Sequence, residues 1–186
     1  MKRIEIMNCW KSFNLSKDFG SVRMVILSFF GMVCYFVIFT LIVSDVFGPI
    51  KLAYFNILLF LCCLFLVYPL HKFFHGVPIW LSRKKAKLAM DRTTLIPKLF
   101  CHIAGTIPKR LYIISILFPF LFITAVLILL TIYFPVGIHY YSAIGSINFG
   151  LSVTDLIYFA HLLSAPSHAI IEEDGDSCRI LVRQYI

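Results

Sequence analysis

Charge is scarce in this sequence. Only 14% of its 186 residues are charged, and nine of them are acids, where soluble domains carry about a quarter charged residues. With a hydrophobic fraction of 60% and a mean hydropathy of +0.90, that scarcity excludes an ordinary water-soluble globular domain. The six cysteines, Cys9, Cys34, Cys62, Cys63, Cys101 and Cys178, contain no C-x-x-C pair, and most lie in apolar or amphipathic stretches where a free thiol behaves as a small hydrophobe. No disulfide framework is implied. No short apolar segment followed by small residues stands near the start, so a cleaved signal peptide is not expected. The acids Glu172, Glu173, Asp174 and Asp176 lack the twelve-residue ligand spacing and closing glutamate of a calcium loop, and read as a solvated turn.

What is present is long apolar runs. Met24 to Val43 supplies 20 consecutive uncharged residues, enough to cross a hydrocarbon core of roughly 30 Å at 1.5 Å per residue. Further runs at about 52–75, 111–134 and 138–163 give an all-α, four-helix transmembrane bundle, with a short C-terminal β-hairpin expected around Asp174-Gly175. The chain divides into an N-terminal tail (1–22), a four-span membrane domain (23–165) with a basic loop at 76–110, and a C-terminal tail (166–186). The net charge of +8 concentrates in that loop, which holds Arg83, Lys84, Lys85, Lys87, Arg92, Lys98, Lys109 and Arg110 against Asp91 alone. By the positive-inside rule the loop and both termini face the cytoplasm of a cell-membrane protein. Apolar Leu88, Leu95, Ile96 and Ile103 among the charges point to a partner in the lipid bilayer, with no nucleic acid.

Two features carry chemistry. His71 and His75 are four residues apart, so on a helix both imidazoles leave one face and could share a metal ion. Asp155 is the single Asp or Glu within the four runs, and an acid at that depth is a functional-site hypothesis. Counted from the outer ends of the second and fourth runs, His71 and Asp155 lie at similar depths, roughly 25 to 29 Å, so the three side chains can meet. In the fourth run Gly145, Asn148, Ser152 and Asp155 form one polar face, with Asn148 and Ser152 supporting the carboxylate. Beside it Ser142, Ser146, Gly150 and Thr154 form a small-residue stripe that invites close helix packing. Pro69 and Pro119 interrupt the second and third runs and free backbone carbonyls. Lys72 stands where the pattern H-E-x-x-H requires a general base.

The placement of His71-Lys72-Phe73-Phe74-His75 in the second run, a proline in the third, the Ser/Asp pattern in the fourth and a strand-like tail resembles the putative zincin peptidases. These are small bacterial multi-pass membrane proteins similar in outline to site-2 proteases. The resemblance covers about Val22 to Val182 and implies Zn2+ as cofactor, with His71, His75 and Asp155 as its ligands and no catalytic glutamate. The expectation is a proteolytically inactive, pseudoenzyme member that still binds zinc. Two other readings stand beside it: an active intramembrane metalloprotease, and a small transport or regulatory membrane protein whose polar cluster holds no metal.

Overall fold

The computed structural model describes residues 5–48, 54, 56–91, 98–103, 105–174 and 177–185. Four helices carry the chain: α1 (Ser21–Phe47), α2 (Ile57–Leu81), α3 (Lys109–Tyr133) and α4 (Ile138–Leu163). All four are long and apolar enough to cross a membrane. Large apolar side chains such as Phe29, Phe65 and Leu121 cover their outer faces rather than a central core.

α4 occupies the range its apolar run predicts. α2 does not: a start near residue 52 and an end at His75 become Ile57 and Leu81. The side chain of Asn56 accepts from the Leu59 N–H at 3.1 Å and sets the later start, because it satisfies one of the donors left over in a first helical turn. At the other end the helix continues through Pro78 and closes at Ser82. There Lys84 N–H donates to Ile79 O and Arg83 N–H to Trp80 O, with Arg83 in the left-handed region at φ 58. This is the two-bond closure that usually recruits glycine. The histidines therefore sit inside the helix with six residues beyond them, not at its end.

The all-α expectation needs correcting. The hairpin β5 (Ile170–Asp174) and β6 (Ser177–Tyr185) is present, but it forms the middle of a four-stranded antiparallel sheet. Its outer strands are β1 (Glu5–Phe13), from the segment read as an N-terminal tail, and β4 (Thr106–Pro108), in the order β1-β6-β5-β4. A separate hairpin, β2 (Ala86–Asp91) with β3 (Lys98–Ile103), occupies much of the basic loop. Arg92, Leu95 and Ile96 of that loop and Gly175 of the hairpin turn lie outside the described residues.

The sheet seats itself on the α2, α3 and α4 ends nearest to it. Phe13, Ile107, Ile171, Cys178 and Ile180 from its strands pack with Ile79, Tyr112, Ile116 and Leu162 from the helices into one buried cluster. Two hydrogen bonds anchor the start of α3 there. Lys109 Nζ donates to Ala165 O at 2.5 Å, placing a cation at the negative end of α4, and Tyr112 Oη donates to Glu173 Oε1 at 2.7 Å. On the opposite side α1 packs along α4. A Cβ at Gly145 would lie 2.6 Å from Tyr35 Cε1, and one at Gly150 would overlap Met32, so both glycines permit a backbone approach that no side chain would. Of the expected small-residue stripe, Gly150 meets α1, whereas Ser142 and Ser146 turn their hydroxyls back onto Ile138 O and Ala143 O within α4.

Candidate metal centre

One turn from the sheet-side cluster, α2, α3 and α4 bring polar atoms together in an otherwise apolar interior. His71 is fully buried, and His75 and Asp155 are nearly so, at 8% and 7% exposure. One ligand atom from each lies within 4.8 Å of the others. His71 Nε2 stands 3.1 Å from Asp155 Oδ2 and His75 Nε2 stands 3.5 Å from the same oxygen. The helical spacing of the histidines and the depth of the aspartate are thus enough to gather all three.

Each imidazole is held from behind. His75 Nδ1 lies 3.0 Å from the backbone carbonyl of Ser115. A carbonyl only accepts, so Nδ1 carries the hydrogen and, in the neutral ring, Nε2 presents a bare lone pair. That carbonyl is available because of Pro119: four residues on, proline offers no N–H, and the helical bond that would have occupied Ser115 O does not form. The Ser115 hydroxyl returns a bond to His75 O at 2.5 Å, which ties α3 to α2 at this level. His71 Nδ1 lies 2.9 Å from Asn148 Oδ1, which fixes its ring in the same sense.

The result is a convergence of acceptors. Two imidazole lone pairs and a carboxylate oxygen face one another, an arrangement that is repulsive unless positive charge sits between them. Protons on the rings would supply it, and so would a metal ion. The spacing bears on the choice. Zinc bonds of 2.0–2.2 Å in tetrahedral geometry put neighbouring ligand atoms about 3.3–3.6 Å apart, and the two nitrogen-to-oxygen separations of 3.1 and 3.5 Å lie close to that span. Nitrogen, nitrogen and oxygen donors with Nδ1–H groups anchored to carbonyls are the donor set and outer support that zinc sites use, so the residues fit the ion.

The two supporting residues take different places. Asn148 is fully buried and contacts His71 rather than Asp155, while its own Nδ2 has no hydrogen-bond partner among the described residues. Ser152, also fully buried, directs its hydroxyl to Asn148 O at 2.7 Å and steadies the α4 backbone. Lys72 is half-buried and makes no ion pair or hydrogen bond with another described residue. Ser115 did not stand out in the sequence. Its signal was Pro119, whose freed carbonyl acceptor lies four residues upstream.

His161 and His139 stand apart from this group. The His161 ring packs 5.2 Å from Phe13 and 5.7 Å from Phe19, at the junction of β1, α1 and α4. His139 lies at the far end of α4, 4.2 Å from the Tyr140 ring. Neither is drawn into the metal group among the described residues.

A protein-family model described as "putative zincin peptidase" matches residues 64–170 of the chain. The match takes in all of the residues at this centre and more than half of the sequence. No curated protein and no solved structure matches.

Proposed function

Because the chain belongs to the family described as "putative zincin peptidase", we propose that it is a four-span membrane protein whose His71, His75 and Asp155 bind zinc and that has lost peptide-bond hydrolysis. The observation that carries the metal reading is the convergence of two anchored imidazoles and a carboxylate at tetrahedral-edge distances. Such an ion, when bound, polarises a carbonyl or a water molecule. Hydrolysis also needs a group that takes the proton from that water. Position 72 holds a lysine, whose ammonium has three donors and no acceptor. Asp155 cannot serve in its place while its oxygen is a ligand.

The membrane reading rests on four apolar helices with apolar exteriors. The basic segment that follows α2 and the basic residues near the N-terminus favour cytoplasmic termini in a cell-membrane protein surrounded by lipid. The sheet-side cluster, and the metal centre one turn from it, then lie near the inner face.

The test is to purify the zinc-loaded protein, incubate it with a model transmembrane substrate, and repeat with Lys72→Glu and His71→Ala. The expected result is metal retention without cleavage in the wild type, while Lys72→Glu keeps the metal and regains a carboxylate base. Cleavage by the wild type that disappears in His71→Ala would overturn the loss of hydrolysis and leave an active intramembrane metalloprotease.

A further inference from the structure

We propose that the groove between α1 and α4 seats one anionic phospholipid, with an acyl chain along the groove and the phosphate at its sheet end, beside His161 and Arg23. The inference rests on the four-span membrane reading and not on the metal. At Gly31 the two helices touch, since a Cβ there would lie 2.9 Å from Phe149 Cε1. From that contact toward the sheet runs a groove of about 410 Å³, with Leu27 and Phe30 of α1 on one wall and Phe149, Val153 and Leu156 of α4 on the other. Among its ten lining residues only His161 carries a polar side chain, and it stands near the sheet end of α4. The His161 ring nitrogens make no hydrogen bond to another described residue, so an imidazole N–H is open to an acceptor there. An apolar slot with one donor at its end has the polarity of an amphiphile.

Size separates a lipid chain from a partner helix. Twelve residues of α4 separate Phe149 from His161, a rise of about 18 Å, close to half of a hydrocarbon core roughly 30 Å thick. The groove thus spans one leaflet. A crossing helix needs the full thickness, and an 18 Å piece of it about 10 Å across would fill roughly 1,400 Å³, several times the space available. A single extended chain fits. Charge then selects the headgroup. Arg23 stands four residues before Leu27 and seven before Phe30, on the same face of α1 and one turn nearer the sheet end. It is exposed and makes no ion pair with another described residue. Helical side chains lean toward the start of their helix, so this guanidinium reaches for the interface rather than the core. Exposed Lys17 adds a second cation, while the acid of that segment, Asp18, accepts from Asn14 N–H at 2.9 Å. A basic pocket between helices at the cytoplasmic side is suited to an anionic headgroup, and a guanidinium can take two phosphate oxygens at once.

Native mass spectrometry of the full-length protein in detergent, titrated with phosphatidylglycerol or with phosphatidylcholine of the same chains, reads both lipid retention and oligomeric state. Wild type would be compared with Ala160→Phe, which fills the groove from an exposed position, and with Arg23→Gln. The expected result is one phosphatidylglycerol per wild-type chain, bound about tenfold more tightly than phosphatidylcholine, as one charge-assisted hydrogen bond would give. Arg23→Gln should lose that preference, and Ala160→Phe should lose the bound lipid while unfolding at the wild-type temperature. Equal affinity for the two lipids in the wild type, an unchanged preference in Arg23→Gln, or full retention in Ala160→Phe overturns the proposal. Wild-type dimers that Ala160→Phe separates, with lipid retention unchanged, also overturn it and make the groove the seat of a second copy. A protein recovered in the soluble fraction without detergent would instead overturn the membrane reading and this inference with it.

Discussion

Replacing Asn148 with leucine removes the acceptor that holds His71 and keeps the branching of the side chain at Cγ, with bulkier methyl groups. The bond lost is the 2.9 Å contact from His71 Nδ1 to Asn148 Oδ1, between two residues with no exposed surface. Without it the Nδ1–H is buried and unpaired, at a cost of about 1–3 kcal/mol, or the imidazole rotates and takes Nε2 out of line with Asp155. Either outcome weakens zinc binding by about 10- to 100-fold, the usual effect of removing the group that orients a ligating histidine. The apoprotein should respond much less, because Asn148→Leu also removes an Nδ2 that is buried without a partner. Asn148→Asp, which keeps an acceptor in place, should bind zinc at least as tightly as wild type. Competition against a fluorescent chelator gives the affinities, and thermal unfolding of the metal-free proteins gives the stability. Zinc affinity in Asn148→Leu within about threefold of wild type would refute the idea that Asn148 orients His71.

Pro119→Ala restores an N–H that competes for Ser115 O, so zinc affinity should fall by about tenfold even though α3 itself becomes a better helix; unchanged affinity would show that the freed carbonyl is not needed. Gly145→Ala places a methyl 2.6 Å from the Tyr35 ring and should destabilise the α1–α4 contact by about 1–3 kcal/mol in detergent unfolding, and no change would mean that the helices separate at no cost. Cys178 is buried, and burial, with Glu173's charge adding to it, raises its thiol from 9.0 to about 12. Maleimide at neutral pH should therefore label exposed Cys9 and spare Cys178. The unfolded chain releases the Cys178 proton near pH 9 while the folded chain holds it to about 12. Across that window this thiol lowers stability as pH rises, by up to about 1.4 kcal/mol per unit, and pH titrations of wild type and Cys178→Ala should differ by that slope.

Much of the site was legible because its signals are local or nearly so. A four-residue histidine spacing and a lone acid in an apolar run report on one helix face each, and equal depth along two helices is enough to make the faces meet. The helices were legible for the same reason, since apolar length needs no knowledge of the neighbours. The ends of α2 were not, because Asn56 and Arg83 set them through cap geometry that apolar run length does not register. Of the sheet, the β5–β6 hairpin was legible, and the strands that flank it were not, for a different reason. β1 pairs with β6 across nearly the whole chain, Glu5 opposite Tyr185 and Phe13 opposite Cys178, and Phe13 of β1 enters the core. An edge strand with one buried side chain shows too little alternation to be recognised alone. Asn148 stands on the expected face of α4 and reaches His71 of α2, because a face assignment within one helix does not say which side chain of a neighbouring helix it meets.

The most direct test of the zinc reading is the metal content of the detergent-purified protein by elemental mass spectrometry, with His71→Ala and Asp155→Ala alongside. The account predicts about one zinc per chain in the wild type and loss in both variants. A wild type without zinc after growth and purification in its presence, or zinc retained in both variants, would contradict it.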